Sequence, residues 1–143
     1  MAQFKKIAPI VSLLLSLVIG VLFIYAGLIK TLDPARFAVD VSNFRLLPWP
    51  AGTLVALYLP WLEILCGAAL IFRRLHLGAS FILTGFALTF LIALSSAKIR
   101  GLDITCGCFG HTNPHSLTAS ILLDVGILAA LIFILTVELK QER

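Results

Sequence analysis

The amino-acid sequence predicts an all-α fold, an integral membrane four-helix bundle with a short amphipathic helix between spans one and two. Of its 143 residues, 60% are hydrophobic and 13% are charged, more apolar side chain than a water-soluble domain of this length buries. Four apolar runs each approach the ~20 residues that a helix needs to cross a bilayer. The net charge of +4 is scattered, which excludes the basic patch typical of nucleic-acid-binding proteins.

The four predicted spans cover approximately residues 7–29, 52–72, 77–97 and 117–137 of a single domain, 1–143. The first span follows two lysines, but its apolar run is longer than that of a signal peptide, and no clear cleavage pattern precedes Lys30. The short connection Arg73–His76 predicts that spans two and three are antiparallel neighbours.

The first loop, residues 30–50, is predicted to contain the amphipathic helix. Asp33 and Pro34 form the pattern of an N-cap followed by proline at the first helical position. Apolar side chains then recur at helical spacing, which favours a helix that lies on or dips into the membrane interface. The stripe consists of Phe37, Val41 and Phe44. Residues 48–50, Pro-Trp-Pro, are expected to end this helix, with the tryptophan in an interfacial belt.

The distribution of positive charge predicts the membrane orientation. Six Lys and Arg residues lie on the side of the termini and five lie on the opposite side. This bias, and the dense pair Arg73-Arg74, favours a multi-pass membrane protein with cytoplasmic termini. The third loop is then extracytoplasmic, where disulfides persist.

The third loop carries the motif Cys106-Gly107-Cys108-Phe109-Gly110. A disulfide between cysteines two residues apart closes a very small ring, and strained, exposed disulfides are the oxidising and labile ones. Nearby side chains that favour a thiolate are Lys98, Arg100 and His111. The motif therefore indicates a redox-active pair, with inert loop cysteines or a structural disulfide as the alternative.

A metal site is a second interpretation of the same loop. Cys106, Cys108, His111 and His115 form a compact set with ligand types that suit zinc or copper. However, the two cysteines are closer in sequence than the usual zinc-finger spacing.

Glu63 and Asp124 are the acidic candidates within the spans. Ionisable side chains inside a membrane usually face the bundle interior. The helical rise places Glu63 ~16 Å and Asp124 ~10 Å from the end that carries the third loop. Each acid could relay protons during thiol oxidation or contact a quinone, with Arg100 and Glu63 as the candidate quinone ligands. Alternatively, each acid pairs with a boundary cation such as Lys30 or Arg100.

Cys66 and the pair Ser16 and Gly20 are interpreted as packing residues. Cys66 lies ~21 Å from the third loop in a straight helix, too far to pair with its cysteines, so a buried free thiol is expected. A kink at Pro60 would change that distance. Ser16-xxx-Gly20 permits close approach of another helix, either within the bundle or in a dimer.

Several segments resemble the MauE/DoxX-like redox-associated membrane proteins, of the methylamine-utilisation MauE type. They are Gly27–Pro34, Asn43–Pro48, Leu59–Glu63 with Gly67, and Asp103–Gly110. The resemblance implies a four-helix protein of the bacterial inner membrane that works beside a periplasmic thioredoxin-like partner, in maturation of the disulfide-rich subunit of methylamine dehydrogenase. The bundle also looks like the quinone-coupled DsbB and vitamin K epoxide reductase proteins, although those use CxxC pairs and more cysteines.

The sequence is therefore compatible with three functions. The leading one is a thiol–disulfide oxidoreductase in which Cys106 and Cys108 exchange with a thioredoxin-like protein, electrons pass to a quinone, and Glu63 or Asp124 assists proton movement. The second is a protein that handles zinc or copper. The third is a non-catalytic membrane subunit whose third loop serves as a docking surface.

Overall fold

The computed structural model describes residues 2–73, 75–102 and 116–141, with side chains from residue 7 onward. These residues form five helices and no strand, which confirms the all-α prediction. In chain order the helices are α1 (Ala2–Leu32), α2 (Pro34–Asn43), α3 (Trp49–Phe72), α4 (His76–Ile99) and α5 (Leu117–Gln141).

The four long helices are each long and apolar enough to cross a membrane. The candidate spans are Ile7–Leu32, Trp49–Phe72, His76–Ile99 and Leu117–Gln141, which confirms the four predicted spans and lengthens each by a few residues. A helix of 24 residues is ~36 Å long, more than the ~30 Å of bilayer hydrocarbon. The chain is therefore a multi-pass membrane protein that requires a lipid bilayer.

Helices α1 and α3 approach each other most closely where glycines face backbone. A Cβ added to Gly20 would lie 2.8 Å from the Gly67 carbonyl oxygen, and one on Gly67 would lie 2.7 Å from the Gly20 carbonyl oxygen. A Cβ on Gly27 would lie 2.7 Å from the Pro60 carbonyl oxygen. Only residues without side chains permit this approach, so the predicted small-residue contact at Gly20 is made within the bundle.

The apolar core is assembled from all four long helices. Its centre is formed by side chains with no exposed surface, which are Leu70, Leu83, Leu131 and Ile134. Ile19 of α1 joins the same cluster at 3% exposure. In contrast, large apolar side chains on the outer faces of the helices are exposed, as expected where lipid is the solvent.

Helix α2 begins as the sequence predicted but ends earlier. The Asp33 carboxylate accepts a hydrogen bond from the Arg36 backbone N–H at 3.1 Å, and Pro34 occupies the first helical position. The helix ends at Asn43, because Arg45 turns the chain with a φ of 51°. The expectation that residues 48–50 end this helix was wrong. Proline is tolerated in a first helical turn, and these residues instead start α3.

Helix α2 packs along the first turns of α3. Phe37 and Ala38 are buried against Ala56, and Val41 lies 3.6 Å from the position of a Cβ on Gly52. Residues later in α2 contact residues earlier in α3, so the two helices are antiparallel. Helix α2 therefore continues the direction of α1 on the same side of α3.

The connection between α3 and α4 is the tight turn that the sequence predicted. Arg73 follows α3 in the left-handed conformation, with φ of 55°, and α4 starts at His76. The His76 ring nitrogen Nδ1 lies 2.9 Å from the Arg73 carbonyl oxygen. The turn makes α3 and α4 antiparallel neighbours, so α4 returns to the end of the bundle that carries α2.

Candidate functional site

A buried ion pair joins α1 to α3 inside the bundle. The Lys30 ammonium donates hydrogen bonds to both carboxylate oxygens of Glu63, at 2.8 and 2.9 Å. Their side chains are 3% and 1% exposed. This arrangement confirms the alternative in which Glu63 pairs with Lys30. Both oxygens of Glu63 are therefore occupied.

Two aromatic rings enclose the same ammonium group. Lys30 Nζ lies 5.0 Å from the ring centroid of Phe37 on α2 and 5.0 Å from that of Phe90 on α4. A cation within ~6 Å of an aromatic face is attracted by the quadrupole of the ring. Helices α2, α3 and α4 thus each contribute a side chain to the surroundings of this lysine of α1, and the charge is kept away from lipid.

Glu63 lies farther along α3 than the sequence predicted. Because α3 starts at Trp49, the helical rise from that start to Glu63 is ~21 Å instead of ~16 Å. This position is just past the midpoint of α3. The height of Glu63 in the bundle is given by its partner Lys30, whose ammonium contacts Phe90 on α4. Phe90 lies ~14 Å from Ile99, the end of α4 that leads to the third loop.

Asp124 faces the bundle interior from the second turn of α5. It precedes the core residue Leu131 by seven positions, so the two share one face of the helix. The carboxylate oxygen Oδ2 is buried and accepts no hydrogen bond from any described residue. Nothing in the described part of the chain pairs it with Lys30 or Arg100, so its predicted cation partner is not found there.

The contact between α4 and α5 sets the height of Asp124. Lys98 Nζ donates to the Thr118 hydroxyl at 3.3 Å. Measured from this contact toward the middle of the bundle, the helical rise to Asp124 along α5 is ~9 Å, and the rise to Phe90 along α4 is ~12 Å. Since the Phe90 ring contacts Lys30, Asp124 and the ion pair lie at similar heights in the bundle. They remain separate groups within the described residues.

Cys66 is a buried free cysteine in the apolar core, as expected. It follows Glu63 by almost one helical turn and is 7% exposed. Helix α3 continues without interruption through Pro60. The rise from Trp49 to Cys66 is ~26 Å, so Cys66 is far from the end of α3 that lies beside α2.

The predicted redox motif lies outside the described residues. Cys106, Cys108, His111 and His115 belong to the stretch 103–115, which joins the end of α4 to the start of α5. Arg100, at the end of α4, donates from Nη1 to the Phe44 carbonyl oxygen at 3.2 Å. The end of α4 therefore lies beside the link between α2 and α3. Within the described ranges, no group of three or more His, Cys, Asp or Glu side chains could hold a metal ion.

A second polar contact, which the sequence analysis missed, lies at the opposite end of the bundle. His76 Nε2 is 3.6 Å from Glu138 Oε2, and Glu138 is 2% exposed. The sequence did contain a signal for this contact. Glu138 follows the core residue Leu131 by two helical turns and therefore lies on the same inward face of α5. The predicted fourth span ended one residue before Glu138.

Comparison with known proteins identifies the family. The family model described as methylamine utilisation protein MauE matches residues 8–137. A methylamine utilization protein MauE of Paracoccus denitrificans is 33% identical over 132 residues, covering 92% of this chain and 70% of that protein. The MauE protein of Methylophilus methylotrophus is 33% identical over 104 residues.

The second match covers 70% of this chain, which spans about half, 53%, of the Methylophilus protein. No solved structure matches this chain. The family match extends from α1 to α5 and includes the ion pair, Asp124 and the cysteine motif. This chain therefore belongs to the MauE family of methylamine utilisation proteins.

Proposed function

We propose that this protein is a membrane thiol–disulfide redox component that acts in methylamine utilisation through Cys106 and Cys108. The observation that carries the proposal is the Cys-Gly-Cys motif in the stretch that joins two membrane helices. Membership of the MauE family supports the pathway, because its relatives are named for methylamine utilisation.

The proposed reaction is thiol–disulfide exchange with a periplasmic thioredoxin-like partner. The Cys106–Cys108 disulfide takes two electrons from the dithiol of the partner, whose cysteines form a disulfide as the motif becomes two thiols. The oxidised partner then introduces a disulfide into a secreted protein such as methylamine dehydrogenase. This cycle requires the motif to lie outside the cytoplasm, as the charge distribution predicts for an inner-membrane protein.

Reoxidation of the motif requires an acceptor for two electrons and two protons, and we assign this role to a membrane quinone. Cys66 does not serve as the acceptor in this scheme, because it lies deep in the apolar core and has no second cysteine beside it in the described part of the chain. The electrons therefore leave the protein through a lipid-soluble molecule.

The geometry favours different roles for the two membrane acids. Glu63 is held by Lys30 through both oxygens, so we assign it a positioning role that joins α1 to α3. Asp124 has a buried oxygen without a described hydrogen-bond partner. We therefore assign to Asp124 the acceptance of a proton released when the thiols are oxidised.

Trapping of a mixed disulfide tests the proposal. The Cys108→Ser and Cys106→Ser variants, each in a Cys66→Ala background, remove one thiol while leaving the other able to attack a partner. We expect at least one of them to accumulate a covalent adduct with a thioredoxin-like protein that reducing agent releases. The Cys106→Ser/Cys108→Ser double variant is the control and should form none. Full extracytoplasmic disulfide-forming activity in this double variant would reject the proposal.

A further inference from the structure

The outer face of α4 carries a groove at the end that leads to the cysteine motif. The groove has a volume of about 490 Å³ and is lined along one face of the helix by Leu91, Ile92, Ser95, Ser96, Ile99 and Arg100. Its lining changes in character along the helix. Leu91 and Ile92 come first, Ser95 and Ser96 follow one turn later, and Ile99 and Arg100 lie at the end of the helix.

This order of side chains matches the expected depth in a bilayer. The candidate span of α4 ends at Ile99, and Arg100 follows immediately. A cation at the end of a span lies where the hydrocarbon meets the polar headgroups. Therefore the aliphatic part of the groove faces lipid tails, while Arg100 faces the headgroup layer.

The guanidinium of Arg100 is held in place but keeps free donors. Its Nη1 donates to the Phe44 carbonyl oxygen at 3.2 Å, and an arginine side chain has five N–H donors in all. The structure gives Arg100 no ion pair among the described residues, and none of the groove's lining side chains is acidic. The remaining donors therefore have no anionic partner in this part of the protein.

We propose that this groove binds an anionic glycerophospholipid. The phosphate contacts Arg100, whose planar fork suits two phosphate oxygens. The hydroxyls of Ser95 and Ser96 donate to the glycerol and ester oxygens, and an acyl chain lies along Leu91 and Ile92. The C-terminal dipole of α4 opposes an anion with about half a charge, and the two cations Lys98 and Arg100 exceed it.

The positive charge of Arg100 suits an anion better than it suits a quinone. A quinone carbonyl is neutral and needs a hydrogen-bond donor, whereas a guanidinium without a counterion is best balanced by an anion. We therefore assign Arg100 to a lipid phosphate, in place of its expected role as a quinone ligand. This assignment is independent of the redox proposal, because lipid binding can be measured without any thiol reaction.

Native mass spectrometry of the delipidated full chain tests this site. The protein is titrated with phosphatidylglycerol and with phosphatidylcholine of identical acyl chains. The expected result is a preference of about five-fold for phosphatidylglycerol, the effect of one cation near an anionic headgroup. Arg100→Gln should abolish the preference. Arg36→Gln, which removes an exposed arginine from α2 at the same end of the bundle, should retain it.

A second variant separates the site from a general effect of charge. Ser95→Ala/Ser96→Ala should weaken both lipids equally and leave the preference unchanged, because the hydroxyls contact groups that both lipids share. Equal affinity of the wild-type protein for both lipids would overturn the proposal, as would an equal loss in Arg36→Gln. Displacement of phosphatidylglycerol by a short-chain quinone, with the same dependence on Arg100, would assign the groove to a quinone instead.

Discussion

The ammonium of Lys30 lies 2.8 Å from one carboxylate oxygen of Glu63 and 2.9 Å from the other. This contact joins the last turn of α1 to a position just past the midpoint of α3. Both side chains are almost fully buried, and a single charge left in such a site is costly. The pair therefore holds the last turn of α1 against α3.

The ion pair predicts a non-additive response to mutation. Lys30→Met leaves the Glu63 carboxylate without its partner and should lower the free energy of unfolding by about 3–5 kcal/mol. Lys30→Met/Glu63→Leu removes both charges and should be more stable than the Lys30→Met single variant. Lys98→Met, at an exposed lysine, is the control. Unfolding in mixed micelles measures these variants together with the Glu63→Leu single variant. Simple additivity of the two buried substitutions would show that Lys30 and Glu63 do not stabilise each other.

The glycine contact between α1 and α3 predicts a position-dependent effect of a methyl group. Gly67→Ala places a Cβ 2.7 Å from the Gly20 carbonyl oxygen, so the helices must separate, at a cost of about 1–3 kcal/mol. The matched control is Gly85→Ala, where a Cβ meets nothing within 4 Å. Because alanine favours helix over glycine, the control should be neutral or stabilising. Equal melting temperatures of the two variants would argue against this packing.

The sequence predicted those parts of the fold that depend on local patterns. Hydropathy and capping chemistry within a few residues predict the number of spans, the Asp33 cap and the tight turn at Arg73. The end of α2 was missed because proline is compatible both with the end of one helix and with the first turn of the next. The left-handed conformation of Arg45, which separates the helices, has no signal in the residue type.

The site was only partly predictable for a similar reason. Glu63 stood out as an acid within a span, but its partner depended on the register of α1 against α3. Residues far apart in sequence, Gly20 and Gly67, set that register. The enclosure of Lys30 by Phe37 and Phe90 likewise requires knowledge of four helices at once. The roles of Cys106 and Cys108 remain predictions, since these residues lie outside the described ranges.

Asp124 is predicted to affect turnover more than stability. Its Oδ2 atom accepts no hydrogen bond from a described residue, so Asp124→Asn removes a proton acceptor without breaking a described contact. Reoxidation of the dithiol by a quinone should slow by about 100-fold or more, while the melting temperature changes little. Ser120→Ala, one turn away on α5, should keep the wild-type rate. Unchanged reoxidation in Asp124→Asn would remove this residue from the mechanism.

The redox proposal also predicts that bound metal is unnecessary. Treatment with a chelator should leave thiol–disulfide exchange unchanged, because the reaction needs only the two thiols and an oxidant. Elemental analysis of the reduced protein should find no stoichiometric zinc or copper. One metal ion per chain that is retained through purification, and lost in Cys106→Ser/Cys108→Ser, would favour the metal-handling alternative.

The reduction potential of the Cys106–Cys108 pair distinguishes a redox-active motif from a structural disulfide. The Cys66→Ala protein in membranes is equilibrated with redox buffers of defined potential, and the free thiols are then alkylated and counted by mass spectrometry. We expect a two-electron transition well above the potential of structural disulfides, about −300 mV. A pair that remains oxidised below that value would be a structural bond. Two thiols that never form a disulfide in oxidising buffers would equally contradict the redox function.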